Sequence, residues 1–320
     1  MTVKKIFQWR FVALGIIFLA TGIITAAAQD VEQWKAMKGD VSFFLANDLG
    51  RNGYYDQKTI AETMGVMAEE IGPEAVLAAG DVHHFGGVAS VTDPLWMTNY
   101  ELIYSHPELM IPWLPVLGNH EYRGNTRAVL DYGSVSRRWE MEGRYYSKVF
   151  NGDKTTVRVV FIDTTPMIER YHGNATYPDI DAQDVAKQLA WIDSTLNAAK
   201  EEWVIVVGHH PMYAETKKDL VEQEDMQKRL LPILQRYKSK VAMYLCGHIH
   251  NFQHIRRGTD GIDYVVNSSA SLARKVKPVE GTLFCSPEPG FSVVSASEGL
   301  LRLVMVDKTG KELYNIERRR

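Results

Sequence analysis

Five apolar runs along the chain share one habit: each stops at a short polar cluster. Residues 41–46 run into Asn47-Asp48-Leu49-Gly50, residues 75–79 into Gly80-Asp81-Val82-His83-His84, and residues 113–117 into Gly118-Asn119-His120-Glu121. Farther on, residues 203–207 end at Gly208-His209-His210-Pro211 and residues 241–246 at Gly247-His248-Ile249-His250. Apolar runs of this length closed by glycine read as buried strands. Between the first two, Ile60, Met64, Met67 and Ala68 recur at helical spacing and Gly72-Pro73 ends the helix; residues 93–104 read as a second helix. The pattern is β-α-β-α-β, a sheet covered by helices.

The second half repeats the theme less regularly. Residues 126–142 read as partly helical, and residues 145–150 and 156–162 as a hairpin around Asn151-Gly152-Asp153. A helix opens at Asp181 and runs to Ala199, with Val185, Leu189, Ile192 and Leu196 on one face; another covers residues 219–237. Short strands at 264–267, 291–295, 301–306 and 312–316 complete the sheet in antiparallel fashion.

Composition adds three constraints. A net charge of -3 opposes a nucleic-acid partner held by bulk electrostatics. The start of the chain has the basic, apolar, small-residue order of a secretory signal peptide: Lys4, Lys5 and Arg10, then an uncharged stretch, then Ala26-Ala27-Ala28. Cleavage after Ala28 leaves residues 29–320 as one exported catalytic domain, periplasmic or secreted, with no stable membrane partner; no oligomeric state is read from the sequence. Only Cys246 and Cys285 occur, and the apolar surroundings of Cys246 favour a buried free thiol over a disulfide.

The chemistry lies at the strand ends. Seven of the ten histidines (His83, His84, His120, His209, His210, His248 and His250) fall in these segments, alongside Asp48, Asp81 and Asn119. Mixed carboxylate, amide and imidazole donors suit iron, manganese or zinc, and their number exceeds what one ion needs. Two ions sharing a carboxylate would use all of them.

In order and wording, the strings DLG, GDVHH, GNHE, VVGH and GHIH, with the longer VLGNHEYRGN and YLCGHIHNFQ, resemble the calcineurin-like metallophosphoesterases. The chain looks most like the small purple acid phosphatases of the tartrate-resistant type. That resemblance implies an α/β fold, a four-layer α/β/β/α sandwich of two mixed sheets. It implies two metal ions, iron paired with zinc, manganese or a second iron, and hydrolysis of a small phosphate ester by in-line attack of a metal-bound hydroxide. Asp48, Asp81 and His250 would hold the first metal. Asp81 would bridge to the second, held also by Asn119, His209 and His248. His120 would be the general acid. Glu121 could steady its ring, with a packing or capping role equally open; His210 could meet the phosphate or simply line the cleft, and Arg123 could pair with a phosphate oxygen or stand exposed after the turn. A phosphodiesterase or nucleotidase would use the same site, and a non-catalytic metal-binding protein is the rival from another class.

One departure stands out. Purple acid phosphatases carry a tyrosine three residues after the GD aspartate, and its phenolate ligates ferric iron. Here that residue is His84. We expect His84 to take the vacant ligand position as a neutral imidazole, with His83 turned elsewhere, and the first metal to be divalent or readily reduced iron.

Overall fold

Strand alternation explains how two sheets come to face each other. In the computed structural model, which describes residues 30–216 and 220–320, β1 (Val41–Ala46) is buried along its whole length. Phe43 meets Phe150 edge-on across the sheet interface at 4.6 Å between ring centroids, while Phe44 meets Phe291 on the neighbouring strand at 5.2 Å.

The first sheet has six strands. In it β1, β2 (Ala75–Ala78) and β3 (Trp113–Pro115) run parallel, and β11 (Gly290–Ser297), β12 (Leu300–Asp307) and β13 (Glu312–Arg319) extend it antiparallel from β1. The second has seven strands in the order β10-β8-β9-β7-β6-β5-β4. Its parallel centre is β5 (Thr156–Phe161), β6 (Trp203–Val207), β7 (Val241–Cys246) and β9 (Asp263–Val266). β4 (Tyr146–Asn151), β8 (Phe252–Ile255) and β10 (Thr282–Ser286) pair antiparallel at its flanks. Two mixed sheets with helices are the α/β architecture expected from the sequence.

Helix α1 (Gln57–Ile71) buries Ile60, Met64, Met67 and Ala68 and closes at Gly72 in the left-handed conformation. Three helical readings are met in part, and one helix start needs correction. Residues 93–104 are helical over part of their length, closing in a wide turn at Met97–Glu101, where Trp96 stacks flat on Tyr132 and the Asn99 side chain accepts from the Asn52 amide. After α2 (Thr126–Asp131) and one tighter turn the chain leaves the helix, since the Trp113 amide of β3 donates to the Arg138 carbonyl and the Glu140 amide to the Trp113 carbonyl. Helix α3 (Val185–Ala198) starts after Asp184, whose carboxylate accepts from the Lys187 amide; Asp181 instead pairs with His172. The expected helix over 219–237 divides into α4 (Leu220–Arg229) and α5 (Leu231–Arg236), with Pro232 in the first turn of the second; Asp219 lies outside the described residues. Strands β8 and β10 were not anticipated. Both cysteines are free thiols, Cys246 buried and Cys285 half-buried. The expected signal peptide lies outside the described residues, among which no helix is long and apolar enough to cross a membrane.

Candidate metal centre

The five polar clusters sit where parallel strands of both sheets end, the edge at which open α/β folds bind ligands. Four candidate ligands adopt positive φ without being glycine: Asp48 (51°), Asp81 (54°), His248 (73°) and His250 (66°). That backbone costs free energy for any side chain with a Cβ and persists only where surrounding contacts enforce it. The contacts are visible. The Ser269 and Ser271 hydroxyls donate to the Asp48 carbonyl at 2.9 and 2.7 Å, and the Asn47 amide donates to its carboxylate at 2.6 Å. Gly118 cannot carry a side chain, because a Cβ there would strike the Asp81 carboxylate.

The sheets meet through their ligand candidates. His209 Nε2 lies 3.2 Å from Asp81 Oδ2, and His250 Nε2 lies 3.0 Å from Asp48 Oδ1. His84 Nε2 stands between the carboxylates, 3.5 Å from Asp81 and 3.9 Å from Asp48. Its other ring neighbours are His120 at 4.2 Å and His250 at 5.7 Å. Asp48, His84 and His250 form one compact donor group, and Asp81, His209 and His248 another. Asn119, between Gly118 and His120, is buried, with its side-chain oxygen without a hydrogen-bond partner among the described residues.

Tautomers explain why these pairs suit a cation. His209 donates from Nδ1 to the Ala79 carbonyl at 2.8 Å, and His250 from Nδ1 to the Leu272 carbonyl at 2.9 Å. Each ring then turns an Nε2 lone pair toward a carboxylate, so acceptor faces acceptor. His248 is turned the other way, with Nε2 donating to Glu222 at 2.8 Å and Nδ1 3.3 Å from His209 Nε2. Both ring nitrogens of His84, and Asp48 Oδ1, are buried without hydrogen-bond partners among the described residues. Only a proton or a cation satisfies such an arrangement, and the donor set suits divalent transition metals.

With no cation between them, the groups hold one another's charge. Burial would raise Asp48 and Asp81, yet His250 beside the first and His209 beside the second keep both carboxyls below their usual range. Burial would likewise lower His209, but Asp81 and Asp48 hold it up at about 10. His84 is pushed well down, chiefly by burial.

The remaining candidates divide clearly. His120 donates from Nδ1 to the Phe85 carbonyl at 2.6 Å, which aims Nε2 toward Asp81 Oδ2 at 3.8 Å. Arg123 lies against this ring, Nη1 to Nδ1 3.3 Å, and against Tyr177. Glu121 makes no bond to the His120 ring. Its oxygens accept from the amides of Gly118 (2.8 Å), Asp81 (2.9 Å) and His83 (3.0 Å), tying two strand ends together; burial, then Asp81, raises its carboxyl to about 7. His210 stands behind His248 rather than against Asp81, its ring nitrogens met by the Thr164 hydroxyl at 2.9 Å and Tyr171 at 3.4 Å. His83 turns into the packing, edge-on to Trp96 at 4.3 Å.

Sequence reasoning missed two residues. The Thr164 hydroxyl, at the end of β5, accepts from the amides of His209 (3.2 Å) and His210 (3.0 Å). Glu222 on α4 is fully buried, bonded to His248, Tyr171 and Arg170. A signal existed: the buried face of α4 is Glu222, Gln223 and Met226, too polar for core packing.

The span that matches known proteins includes all five polar clusters. The calcineurin-like phosphoesterase family model matches residues 41–252. The chain belongs to that family. Among its relatives, purple acid phosphatase 3 of Arabidopsis thaliana is 30% identical over 94% of this chain and 83% of its own length. Tartrate-resistant acid phosphatase type 5 of Mus musculus is 30% identical over 80% and 81%. The fold is shared with GAP50, described as the anchor in the inner membrane complex of Plasmodium (TM-score 0.75, 22% identity, 87% of this chain and 88% of that one). It is also shared with a dimetal phosphatase from Danio rerio (TM-score 0.58, 13% identity, 88% and 99%). As a calcineurin-like phosphoesterase the chain is a hydrolase of the metallophosphoesterase class.

Proposed function

We propose that this chain is an exported acid phosphatase, acting on phosphomonoesters with two metal ions. The observation that supports this best is the set of imidazole lone pairs facing carboxylate oxygens across the boundary between the sheets. Asp48, His84 and His250 would hold one ion, and Asn119, His209 and His248 the other, with Asp81 shared. Bound there, two cations supply Lewis acidity toward the phosphoryl oxygens and bring the pKa of water from 15.7 toward roughly 7.

The protein supplies the rest. Phe85 fixes the His120 ring so that its Nε2–H can protonate the departing alkoxide. Burial, and after it the Arg123 cation working against Asp81, lowers the pKa of that imidazole. Glu121 keeps the Asp81 and Gly118 backbones in place. Because His84 brings no charge, the six other donors contribute only the two carboxylates Asp48 and Asp81, and the first ion is divalent or easily reduced iron. Export rests on the signal-peptide pattern of the first 28 residues, and sequencing the mature amino terminus tests it.

Metal analysis with an aryl phosphate assay tests the main reading. Two ions per chain and activity abolished by a chelator are expected; a metal-free protein with undiminished activity would sink it. A visible phenolate-to-iron absorption band would sink the role of His84.

A further inference from the structure

Beside the metal centre lies a cavity of about 380 Å³ lined by Arg51, Asn52, Tyr54, Tyr55, His84 and Phe85. Three of its aromatic rings are presented to solvent: Tyr54 is 71% exposed, Tyr55 63% and Phe85 68%. Large rings are costly to leave in water, and three around one hollow form a stacking surface. Tyr55 is held there at a φ of 57°, which a bulky side chain seldom adopts. The guanidinium of Arg51 lies 4.7 Å over the Phe85 ring. Arg51 is only 6% exposed, and its Nε is buried without a hydrogen-bond partner among the described residues. A guanidinium lining a hollow beside aromatic faces suits a planar ring that carries an acceptor on its edge.

The position of His120 tells which part of a substrate arrives there. The His120 ring packs against His84 at 4.2 Å and Phe85 at 5.9 Å, so a leaving oxygen at its Nε2 has the cavity as its neighbour. We infer that this cavity is the leaving-group subsite and that it receives a heteroaromatic ring, as in a nucleoside monophosphate. The inference rests on the phosphatase reading, since it takes His120 to face the leaving group. The ring stacks on Tyr54, Tyr55 or Phe85 while Arg51 donates to an acceptor on its edge.

Adenosine 5′-monophosphate and ribose 5-phosphate separate the ring from the chemistry, because both release a primary alcohol. Dissociation constants by calorimetry and kcat/KM are measured for both esters, on the metal-loaded protein and on the Tyr54→Ala/Tyr55→Ala double variant, whose substitutions are at exposed positions. The adenosine ester is expected to be favoured by about tenfold or more in both quantities, and the double variant to lose most of that ratio. Equal handling of the two esters, or a preference that survives the double variant, overturns the subsite. If neither ester is hydrolysed but the binding preference is present and lost in the variant, the subsite stands and the phosphatase reading falls.

Discussion

The two sheets bring different chemistry to their common edge. The ends of β1, β2 and β3 carry Asp48, Asp81 and Asn119, the carboxylates and the amide. The ends of β6 and β7 carry His209, His248 and His250, all imidazoles. Each half alone is unstable in its own way: buried carboxylates without cations, or buried rings whose lone pairs have no partner. Brought together, every carboxylate finds a histidine of the other sheet, His209 on Asp81 and His250 on Asp48. The centre therefore belongs to the packing of two sheets rather than to either one, and it doubles as the electrostatic glue between them. His84 and His120 are the exceptions, imidazoles from the carboxylate side.

The sharpest way to break this complementarity is at its crossing point. Asp81→Ala removes the carboxylate that His84, His209 and the His120 amide all approach, so metal analysis should find fewer than two ions per chain. Turnover should fall by at least about 10³-fold; two ions in the variant would refute the shared role. His120→Ala comes next and leaves both halves of the ligand set intact. Alkyl phosphates should lose about 10²- to 10⁴-fold in kcat, with a much smaller loss for activated aryl phosphates. Equal losses would argue against proton donation.

Support from outside the strand ends is tested by Glu222→Gln, which weakens the acceptor that orients His248. Metal affinity or activity should drop about 10- to 100-fold; unchanged metal affinity and activity would make Glu222 a bystander. The smallest effect is expected at the start of β6, far from the ligands, where Arg158 forks onto Glu201 at 2.7 and 2.8 Å. Arg158 holds the Glu201 carboxyl down at about 2. Since this pKa lies below the unfolded value of 4.5, the pair's contribution is complete above pH 4.5 and disappears as pH falls toward 2. Arg158→Ala should cost less than about 1 kcal/mol in urea melts at neutral pH, with metal content unchanged.

Much of this was readable in advance. Asp48, Asp81, His209 and His248 stood out in the sequence because each follows a strand-forming run and a polar residue or glycine. Strand ends are legible because period and termination are local properties. Strands β8 and β10 were not, because their residues take the strand form only by pairing along an existing edge. Residues 126–142 are part helix and part loop as expected, but where the helix stops was not legible, because β3 offers the stretch near Trp139 a backbone partner. For Glu121 two roles were open, steadying the His120 ring or capping, and the fold decided for the second: its carboxylate accepts from three amides of two strand ends.

By itself, the sequence determined the central strands, the residue types at their ends and the family, since local patterns and ordered motifs need no third dimension. Only the tertiary structure decided which imidazole faces which carboxylate, which ring nitrogen is turned inward, and that Glu222 and Thr164 belong to the centre. The reason is physical. Tautomers, charge states and ligand sets are set by partners a few ångströms away, and here those partners come from separate sheets.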